Sequence, residues 1–340
     1  MALSYTYSDY RGKAAEPIFE EIIFENDTIG KNLVAFETDV KAETIFTETT
    51  ATATLQAYTS GVPTSAGDLT AWDKLVTPVK VQFYQEFDPN SLRFSRFKRD
   101  IKPGAWEILS NEFEQLVIGG LYAKKVAYAL EYEFWNGVKS ATKTAVAALT
   151  AGTANTSVGA AEKTAVAALT ASQIDGVLVK MIYNSSNASG TAGVGTRIKV
   201  AGTTLTASNL KTELDKVYAA IPALTLTNQE APRIYCAKGV KQMMVQANNV
   251  TTDYTKPFDI SPNADSFYFN GLEVVFVPIP ANVIICAIPS HLVWCTDLVA
   301  DVNRLEMNVI ANNREDMFIK HNMTLEAHVA NQAYNVLYVG

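Results

Sequence analysis

The three histidines of the chain, His291, His321 and His328, are the side chains best suited to metal binding or to proton transfer near neutral pH. None of them belongs to an HExxH motif, and none has a cysteine or a carboxylate at the spacing of a metal-ligand pattern. His321 and His328 lie seven residues apart in a predicted strand, which places them on opposite faces of a sheet. We therefore expect core or surface histidines, no metal site and no cofactor.

Two pairs of acids are the remaining candidates for catalysis. Asp297 and Asp301 lie at a predicted strand end, and Glu315 and Asp316 lie in a predicted turn, where capping of the turn is the favoured interpretation. The sequence contains no GxSxG motif, no phosphate-binding GxxxxGK[ST] loop, and no GxGxxG between a strand and a helix. The sequence therefore predicts that the protein is not an enzyme.

Residues 93–99, RFSRFKR, interleave four basic side chains with two phenylalanines. An alternation of this kind can stack on and neutralise single-stranded nucleic acid. Ion pairs between subunits and a solvated edge strand are the alternatives, and contacts between subunits are favoured. The predicted interface residues of this segment are Arg93, Arg96, Lys98 and Arg99.

The composition is that of a foldable globular chain. It has 340 residues, 48% hydrophobic and 19% charged, with a net charge of −7, so general affinity for nucleic acid is not expected. Cys236, Cys286 and Cys295 lie in apolar runs without a CxxC pair, which predicts buried thiols and folding in a reducing compartment. No signal peptide or membrane span is visible, and we expect no membrane partner.

The longest regular pattern runs from Ala105 to Gly137 and predicts a single amphipathic helix of about 45 Å within residues 102–138. Gly119 and Gly120 should be the point where it bends or is closely approached by another backbone, and Asn136-Gly137 should end it. The residues that share its apolar face follow one another at spacings of three and four: Trp106, Leu109, Phe113, Leu116, Gly120, Ala123, Ala127, Leu130 and Phe134.

Before this helix, residues 1–35 look like an arm without a core, and residues 36–101 look like a long hairpin with its stem. The outgoing strand, 43–58, is rich in threonine, and the tip is placed at 59–70. The return strand is placed after Trp72 and includes the alternating residues 79–87. Because the outgoing strand has no apolar face, the hairpin should find its partner on another subunit. The predicted interface residues are Thr52, Thr54, Tyr58 and Trp72.

After the helix, residues 139–172 form an insertion rich in alanine and threonine, in which KTAVAALTA occurs twice with a period of 20. Two copies are too few for a solenoid, so a local duplication on the surface is expected. Residues 173–300 combine helices with near-continuous apolar strands and predict a buried mixed sheet. Residues 301–340 return to alternating strands.

In this order the elements resemble the major capsid proteins of tailed bacteriophages, which have the Hong Kong 97-type capsid fold. The resemblance rests on LVTPVKVQFYQEF, followed after a basic stretch by a helix ending in ALEYEFWNG, and on LKTELDKVYAAIP, RIYCAKGVKQMM, FNGLEVVFVPIPANVIICA and LVWCTDLVADVNRLEM. It implies an α+β fold with an N-terminal arm, an extended hairpin or E-loop, a P-domain with a spine helix and strands, and a mixed α/β A-domain over residues 173–300. Residues 301–340 would then be strands that return to the P-domain.

The resemblance implies a chain that self-assembles, as hexamers and pentamers, into the icosahedral shell around the double-stranded DNA of a phage. The implied partners are a separate scaffolding protein, because only about 35 residues precede the E-loop, a portal, and decoration proteins. Packaged DNA would touch the inner surface without sequence specificity. The shell would assemble in the bacterial cytoplasm and persist in the virion.

Some members of this family cross-link a lysine of the E-loop to an asparagine of a neighbour. Lys74 lies near the hairpin, but no asparagine and carboxylate stand out beside it, so no cross-link is predicted.

Three alternatives stay open at this point. An encapsulin-like shell around a cargo enzyme shares the fold, and phage genes beside this one would exclude it. A phage tail tube or sheath subunit should lack the long helix. A soluble α/β enzyme should have a polar pocket, for which the sequence offers no residues.

Overall fold

The structure is a computed structural model with helices and mixed sheets. Its described part comprises residues 9–10, 27–40, 42–53, 55–58, 60–62, 64–65, 67–88, 122–184, 193–194, 197–250, 256–261, 266–297, 304–310 and 316–340.

One sheet is organised around a 13-residue strand, β16, Met317–Val329. The first part of β16 is flanked on its two edges by β5 and β15, and its last four residues pair with β14. The strands of this sheet, in chain order, are β1 (Asp9–Tyr10), β2 (Ala35–Glu37), β5 (Val79–Phe87), β14 (Leu292–Cys295), β15 (Arg304–Val309) and β16.

The second sheet is mixed and is buried on both faces at its centre. Its order is β10-β11-β12-β9-β13-β17-β8, with parallel pairs between β12 and β9 and between β17 and β8. The strands are β8 (Ile198–Ala201), β9 (Arg233–Ala237), β10 (Asp259–Ile260), β11 (Phe267–Phe269), β12 (Leu272–Val277), β13 (Val283–Ala287) and β17 (Val336–Val339). All five residues of β13 are buried, which confirms the covered sheet predicted from its apolar run.

The described residues also form two further antiparallel strand pairs, eight α-helices and two short 3-10 helices, Pro289–His291 and Gln332–Tyr334. The strand pairs are β3 (Thr44–Ala53) with β4 (Gly67–Val76), and β6 (Tyr183–Asn184) with β7 (Gly193–Val194). The helices are α1 (Asp27–Gly30), α2 (Ala123–Asn136), α3 (Ser140–Ala148), α4 (Ala160–Ala168), α5 (Val177–Ile182), α6 (Leu210–Ala220), α7 (Ala223–Leu226) and α8 (Val240–Val250).

The hairpin differs from the sequence prediction in its return strand. The strand that pairs with β3 is β4, so residues 67–70 are strand, and the described residues of the tip are 55–58, 60–62 and 64–65. β5 instead pairs with β16, with Val79 opposite Leu325 and Phe87 opposite Met317. Pro78, which has no N–H to give to a ladder, separates β4 from β5. The alternating apolar side chains of β5 pack on the main core and fix that pairing.

The last strand also differs from the prediction, which grouped residues 301–340 in one domain. β17 pairs with β13 and β8 in the seven-stranded sheet, whereas β16 belongs to the other sheet. Asn331 has φ 45°, a left-handed conformation that asparagine tolerates, and it starts the short 3-10 turn Gln332–Tyr334 that redirects the chain. Because all four residues of β17 are buried, this strand needs a sheet that is covered on both faces.

The duplicated segment forms two helices that dock on each other reciprocally. Lys143 of α3 donates to the carbonyl oxygen of Leu169, and Lys163 of α4 donates to that of Leu149, both at 2.6 Å. Arg197, which is buried, pairs with Glu162 of α4 and ties the pair to the start of β8. The chain enters and leaves this unit at adjacent positions, because the Ser172 N–H donates to the Val138 carbonyl at 2.7 Å. The two copies of the repeat therefore form one compact pair of helices, in agreement with the predicted local duplication.

Candidate assembly interface

The hairpin of β3 and β4 presents an apolar tip to solvent. Ten residues of each strand are paired, from Thr44 opposite Val76 to Ala53 opposite Gly67, so the ribbon is about 33 Å long. Beyond the last pair, Leu55, Tyr58 and Val62 are between 94 and 101% exposed. Large apolar side chains held this far from their own core are typical of a surface that another molecule covers.

The base of the hairpin is docked on its own chain. Phe46 stacks on the ring of His328 in β16, with ring centroids 4.9 Å apart. Val76 is buried and packs with Val293 and Cys295 of β14. The expectation that the outgoing strand lacks apolar contacts therefore applies to its outer part, while its first residues are anchored to the sheet.

A buried ion pair reinforces this anchor. The Lys74 ammonium lies 2.8 Å from Glu48 Oε1, and the two side chains are 13% and 5% exposed. Lys74 also donates to the carbonyl oxygen of Val329, at 3.2 Å, so the pair joins both strands of the hairpin to the end of β16. The amine of Lys74 is therefore engaged within its own chain at the stem of the hairpin.

His321 and His328 are buried neutral histidines in this sheet. Burial lowers the pKa of His321 to about 4, and burial together with the cationic Lys180 and Lys74 lowers the pKa of His328 to about 3. Since both values lie well below the ordinary value of about 6.5, both rings are uncharged at neutral pH. Their residue numbers place them on opposite faces of a regular strand. His321 is on the one buried face of the first half of β16, and His328 is in the second half, where both faces are covered.

Replacing Lys74 with methionine should destabilise the subunit by about 3 to 5 kcal/mol, because the buried Glu48 carboxylate loses this cation. The free energy of unfolding, measured by denaturant titration, would report the loss. Lys80→Met is the matched control, since Lys80 is exposed and should change stability by less than about 0.5 kcal/mol. Adding Glu48→Gln to Lys74→Met should recover part of the loss, and a double variant as unstable as the single one would contradict this assignment.

The C-terminal end of α2 is the junction of the two sheets. Phe134 stacks on Trp294 of β14, with ring centroids 4.6 Å apart, and Trp135 packs on Tyr235 of β9 at 5.2 Å. Leu130 and Phe134, both predicted for the apolar face of this helix, are buried. The helix therefore contacts one sheet through Phe134 and the other through Trp135.

The N-terminal segment is held to the same helix by a chain of hydrogen bonds. Trp135 Nε1 donates to Thr28 Oγ1 at 3.0 Å, and Thr28 Oγ1 donates to Glu131 Oε1 at 2.6 Å. The Tyr235 hydroxyl donates to the carbonyl oxygen of Leu33 at 2.6 Å. Residues 27–40 therefore pack on the body of the subunit at the helix junction.

Each residue of the sequence WNG at the end of α2 has a separate structural role. Asn136 donates to the Pro278 carbonyl oxygen, which links the helix to the seven-stranded sheet. Gly137 ends the helix, as predicted, but its φ of −52° is not left-handed. A side chain is excluded there by crowding, because a Cβ would lie 2.6 Å from the Glu133 oxygen and 2.8 Å from the Ile174 oxygen.

Gly176 faces this crowded point from the other side, and no motif or spacing in the sequence singled it out. Its N–H donates to the Gly137 carbonyl at 2.9 Å. A Cβ on it would lie 2.6 Å from the Phe134 oxygen. The only signal in the sequence is that this glycine stands directly before the apolar run of α5, which begins at Val177.

The predicted interface and spine residues are only partly within the described residues. Tyr58 is exposed at the tip, and Thr52 and Trp72 lie in the paired strands β3 and β4. The other predicted residues that lie outside the described residues are Thr54, Arg93, Arg96, Lys98, Arg99, Trp106, Leu109, Phe113, Leu116, Gly119 and Gly120.

The three cysteines are free and buried. Burial raises the pKa of Cys286 and of Cys295 to about 12, and it raises the pKa of Cys236 further. Thiols with such pKa values carry almost no thiolate at neutral pH and are packing groups, as predicted. Among the described helices, none combines the length and the apolarity that a membrane crossing requires.

No protein-family model and no curated protein sequence matches the chain. Solved structures do match it over its whole length. A chain of the satellite phage P4 procapsid that includes the size determination (Sid) protein has a TM-score of 0.58 at 12% identity, covering 100% of this chain and 92% of that one. A chain of Mycobacterium phage Ogopogo has a TM-score of 0.52 at 12% identity, with 99% and 94% covered. The capsid of the native GTA particle has a TM-score of 0.50 at 12% identity, with 100% and 95% covered.

Proposed function

We propose that this chain, which has the Hong Kong 97-type capsid fold, is a major capsid protein that builds the icosahedral shell around the double-stranded DNA of a tailed bacteriophage. The fold follows from full-length likeness to phage capsid structures at low sequence identity. The function is inferred from that fold together with the exposed apolar tip of the hairpin, which is the single observation that carries it.

The physical argument starts from the tip. Burying a large apolar side chain is worth about 1.5 to 3 kcal/mol, so Leu55, Tyr58 and Val62 would stabilise a contact with a second copy of the chain. An isolated ribbon of two strands is only marginally stable in water, and its open edges favour pairing with another chain. A contact of this kind, repeated from copy to copy, closes a ring or a shell.

Within this proposal, the hairpin and the two sheets correspond to the parts of the capsid fold. The hairpin of β3 and β4 acts as the E-loop, the sheet around β16 with α2 acts as the P-domain, and the seven-stranded sheet acts as the A-domain. Hexamers and pentamers, a separate scaffolding protein, a portal, decoration proteins and assembly in the host cytoplasm belong to the same proposal, and family resemblance alone supports them. A structural role without catalysis follows from the same assignment.

Electron microscopy of the purified full-length protein tests the function. We expect closed icosahedral particles under conditions that favour association, and a monodisperse monomer that never assembles would overturn the proposal. Particles isolated from infected or expressing cells should contain double-stranded DNA or be empty. Particles filled with a protein cargo would instead establish the encapsulin-like alternative.

A further inference from the structure

β8 lies at one end of the seven-stranded sheet and, among the described strands, pairs only with β17. The N–H groups of Ile198 and Gly202 donate to carbonyl oxygens at the start and at the end of β17, at 2.8 and 3.2 Å. Because successive N–H groups of a strand point to opposite edges, those of Lys199 and Ala201 point away from β17. This outer edge of β8 is a row of backbone donors and acceptors, and such a row can pair with a strand of another chain.

The insertion that follows α2 covers this edge. We name residues 149–159, which connect α3 to α4, the edge loop. The side-chain oxygen of Asn155 in this loop accepts the Lys199 N–H at 3.0 Å. Arg197, which directly precedes β8, donates to the carbonyl oxygens of Asn155 and Ser157, at 3.0 and 3.3 Å. At Lys199 the edge loop therefore provides the acceptor that a neighbouring strand would provide.

Buried charged groups hold the edge loop on β8. Glu162 of α4 pairs with Arg197 and lies 3.7 Å from the Lys199 ammonium, and all three side chains are almost fully buried. The Lys199 ammonium also donates to the carbonyl oxygen of Gly152 in the loop. Val158, at the other end of the loop, is buried and packs in the main core. Since buried charges are tolerated only with well-placed partners, these contacts fix the position of the loop.

The composition of β8 favours strand pairing. Ile198 and Val200 are β-branched and only partly buried against the main core, and Ala201 is exposed. At the opposite end of the sheet, β10 has only two residues, and so short an edge strand is itself a protection against pairing. β8 has four residues and is paired with β17 along its whole length, so its outer edge needs a cover.

We propose that the insertion 139–172 protects the seven-stranded sheet: its edge loop occupies the outer edge of β8 and prevents this strand from pairing with β8 of a second copy of the chain. Two copies of the same edge can pair antiparallel about a two-fold axis, and each such contact would join two sheets. This role goes beyond the proposed function and does not depend on it, because the unassembled subunit carries the edge whether or not it forms shells.

Hydrogen exchange tests whether Asn155 covers the edge. In Asn155→Ala the Lys199 amide loses its acceptor, so its exchange should accelerate by about fivefold or more, while the amides of Ile198 and Val200 keep their wild-type rates. Asn155→Asp retains an oxygen at this position and should exchange like the wild type. Thr156→Ala, an exposed change in the same loop, is the control. A Lys199 amide that exchanges as slowly in Asn155→Ala as in the wild type would overturn the proposal.

Removing the insertion tests whether it prevents association. Residues 140–171 are replaced by a short glycine–serine linker, which the adjacent positions of Val138 and Ser172 allow. All variants carry Leu55→Asp/Tyr58→Asp, so that association through the exposed hairpin tip is weakened equally in each of them. At concentrations at which this background variant is a monomer, we expect the variant without the insertion to form dimers or larger species in analytical ultracentrifugation.

Ala201→Pro decides whether that association uses β8. Proline removes the outward N–H and is tolerated on the free edge of a sheet, so it should restore the monomer when the insertion is absent. With the insertion present, Ala201→Pro should leave the circular dichroism spectrum unchanged. A monomer without the insertion, or association that persists in Ala201→Pro, would contradict the proposed role.

A second variant covers the case in which the chain without the insertion does not fold, as judged by circular dichroism. Glu162→Gln/Arg197→Gln removes the buried ion pair that holds the edge loop and leaves the net charge unchanged. It is measured in the same background, alone and with Ala201→Pro, and the same two outcomes are expected. If it stays monomeric, the edge loop is not what keeps β8 from pairing.

Discussion

Replacing both Leu55 and Tyr58 with aspartate should abolish shell formation and leave the subunit folded. Both side chains are almost fully exposed in the subunit, so their loss should change its stability by less than about 0.5 kcal/mol each. In a shell the same change replaces two buried apolar groups by charges without partners, at a cost of several kcal/mol for every contact. Under the proposed function each copy both gives and receives this contact, so the effect would multiply through the particle.

The matched control for the tip places the same charges in the same segment. Ser60→Asp with Ser65→Asp adds two aspartates at exposed positions of the tip without removing an apolar side chain. Particle yield is measured by sedimentation and electron microscopy, and the free energy of unfolding by denaturant titration. If Leu55→Asp/Tyr58→Asp assembles as well as Ser60→Asp/Ser65→Asp, the apolar tip is not the interface.

Adding one methyl group at Gly176 should destabilise the subunit more than most changes in its core. In Gly176→Ala the new Cβ meets the Phe134 oxygen at 2.6 Å and the Glu133 oxygen at 2.8 Å. These are backbone atoms of the last turn of α2, which cannot move without breaking the contact with Trp294. We expect a loss of roughly 3 kcal/mol or more in the free energy of unfolding, and a similar loss for Gly137→Ala.

Gly239→Ala is the control for both glycines. Nothing lies within 4 Å of a Cβ built at Gly239, so the same change of composition should be close to neutral. Denaturant titration of the three variants under conditions that prevent assembly gives the comparison. Stabilities for Gly176→Ala and Gly137→Ala that match Gly239→Ala would show that the close approach of these two segments is not tightly constrained.

The sequence predicted the end of α2 at Gly137 correctly, but the physical reason for a glycine there is different from the usual one. A glycine after a helical run indicates a stop, and α2 ends at Asn136 as expected. The general reason for such a glycine is a left-handed φ, which Gly137 does not have. Its requirement comes from residues 174 and 176, which reach it through the tertiary fold. A pattern within one segment cannot contain that information.

Local features of the chain were determined by its sequence. The apolar face containing Leu130 and Phe134, the alternation in residues 79–87 and the continuous apolar run of β13 each predicted the burial that the structure has. Order and motif were enough to indicate the capsid fold, which the structural likeness confirms. The buried faces depend on residues at most a few turns apart, whose spacing is visible in the sequence, whereas the resemblance depends on the order of the motifs along the chain.

The tertiary structure decided the pairings between distant segments. β5 lies beside β16, more than 200 residues later, and β17 leaves the sheet of β16 to join the one that contains β13. The stem of the hairpin is fixed by Glu48, Lys74 and His328, which no spacing relates to one another. Many strands present a compatible apolar face, and only the simultaneous packing of all of them selects the partners. The sequence thus determined which side chains had to be buried. The tertiary structure determined which strands bury them, and it leaves Leu55, Tyr58 and Val62 exposed at the tip of the hairpin.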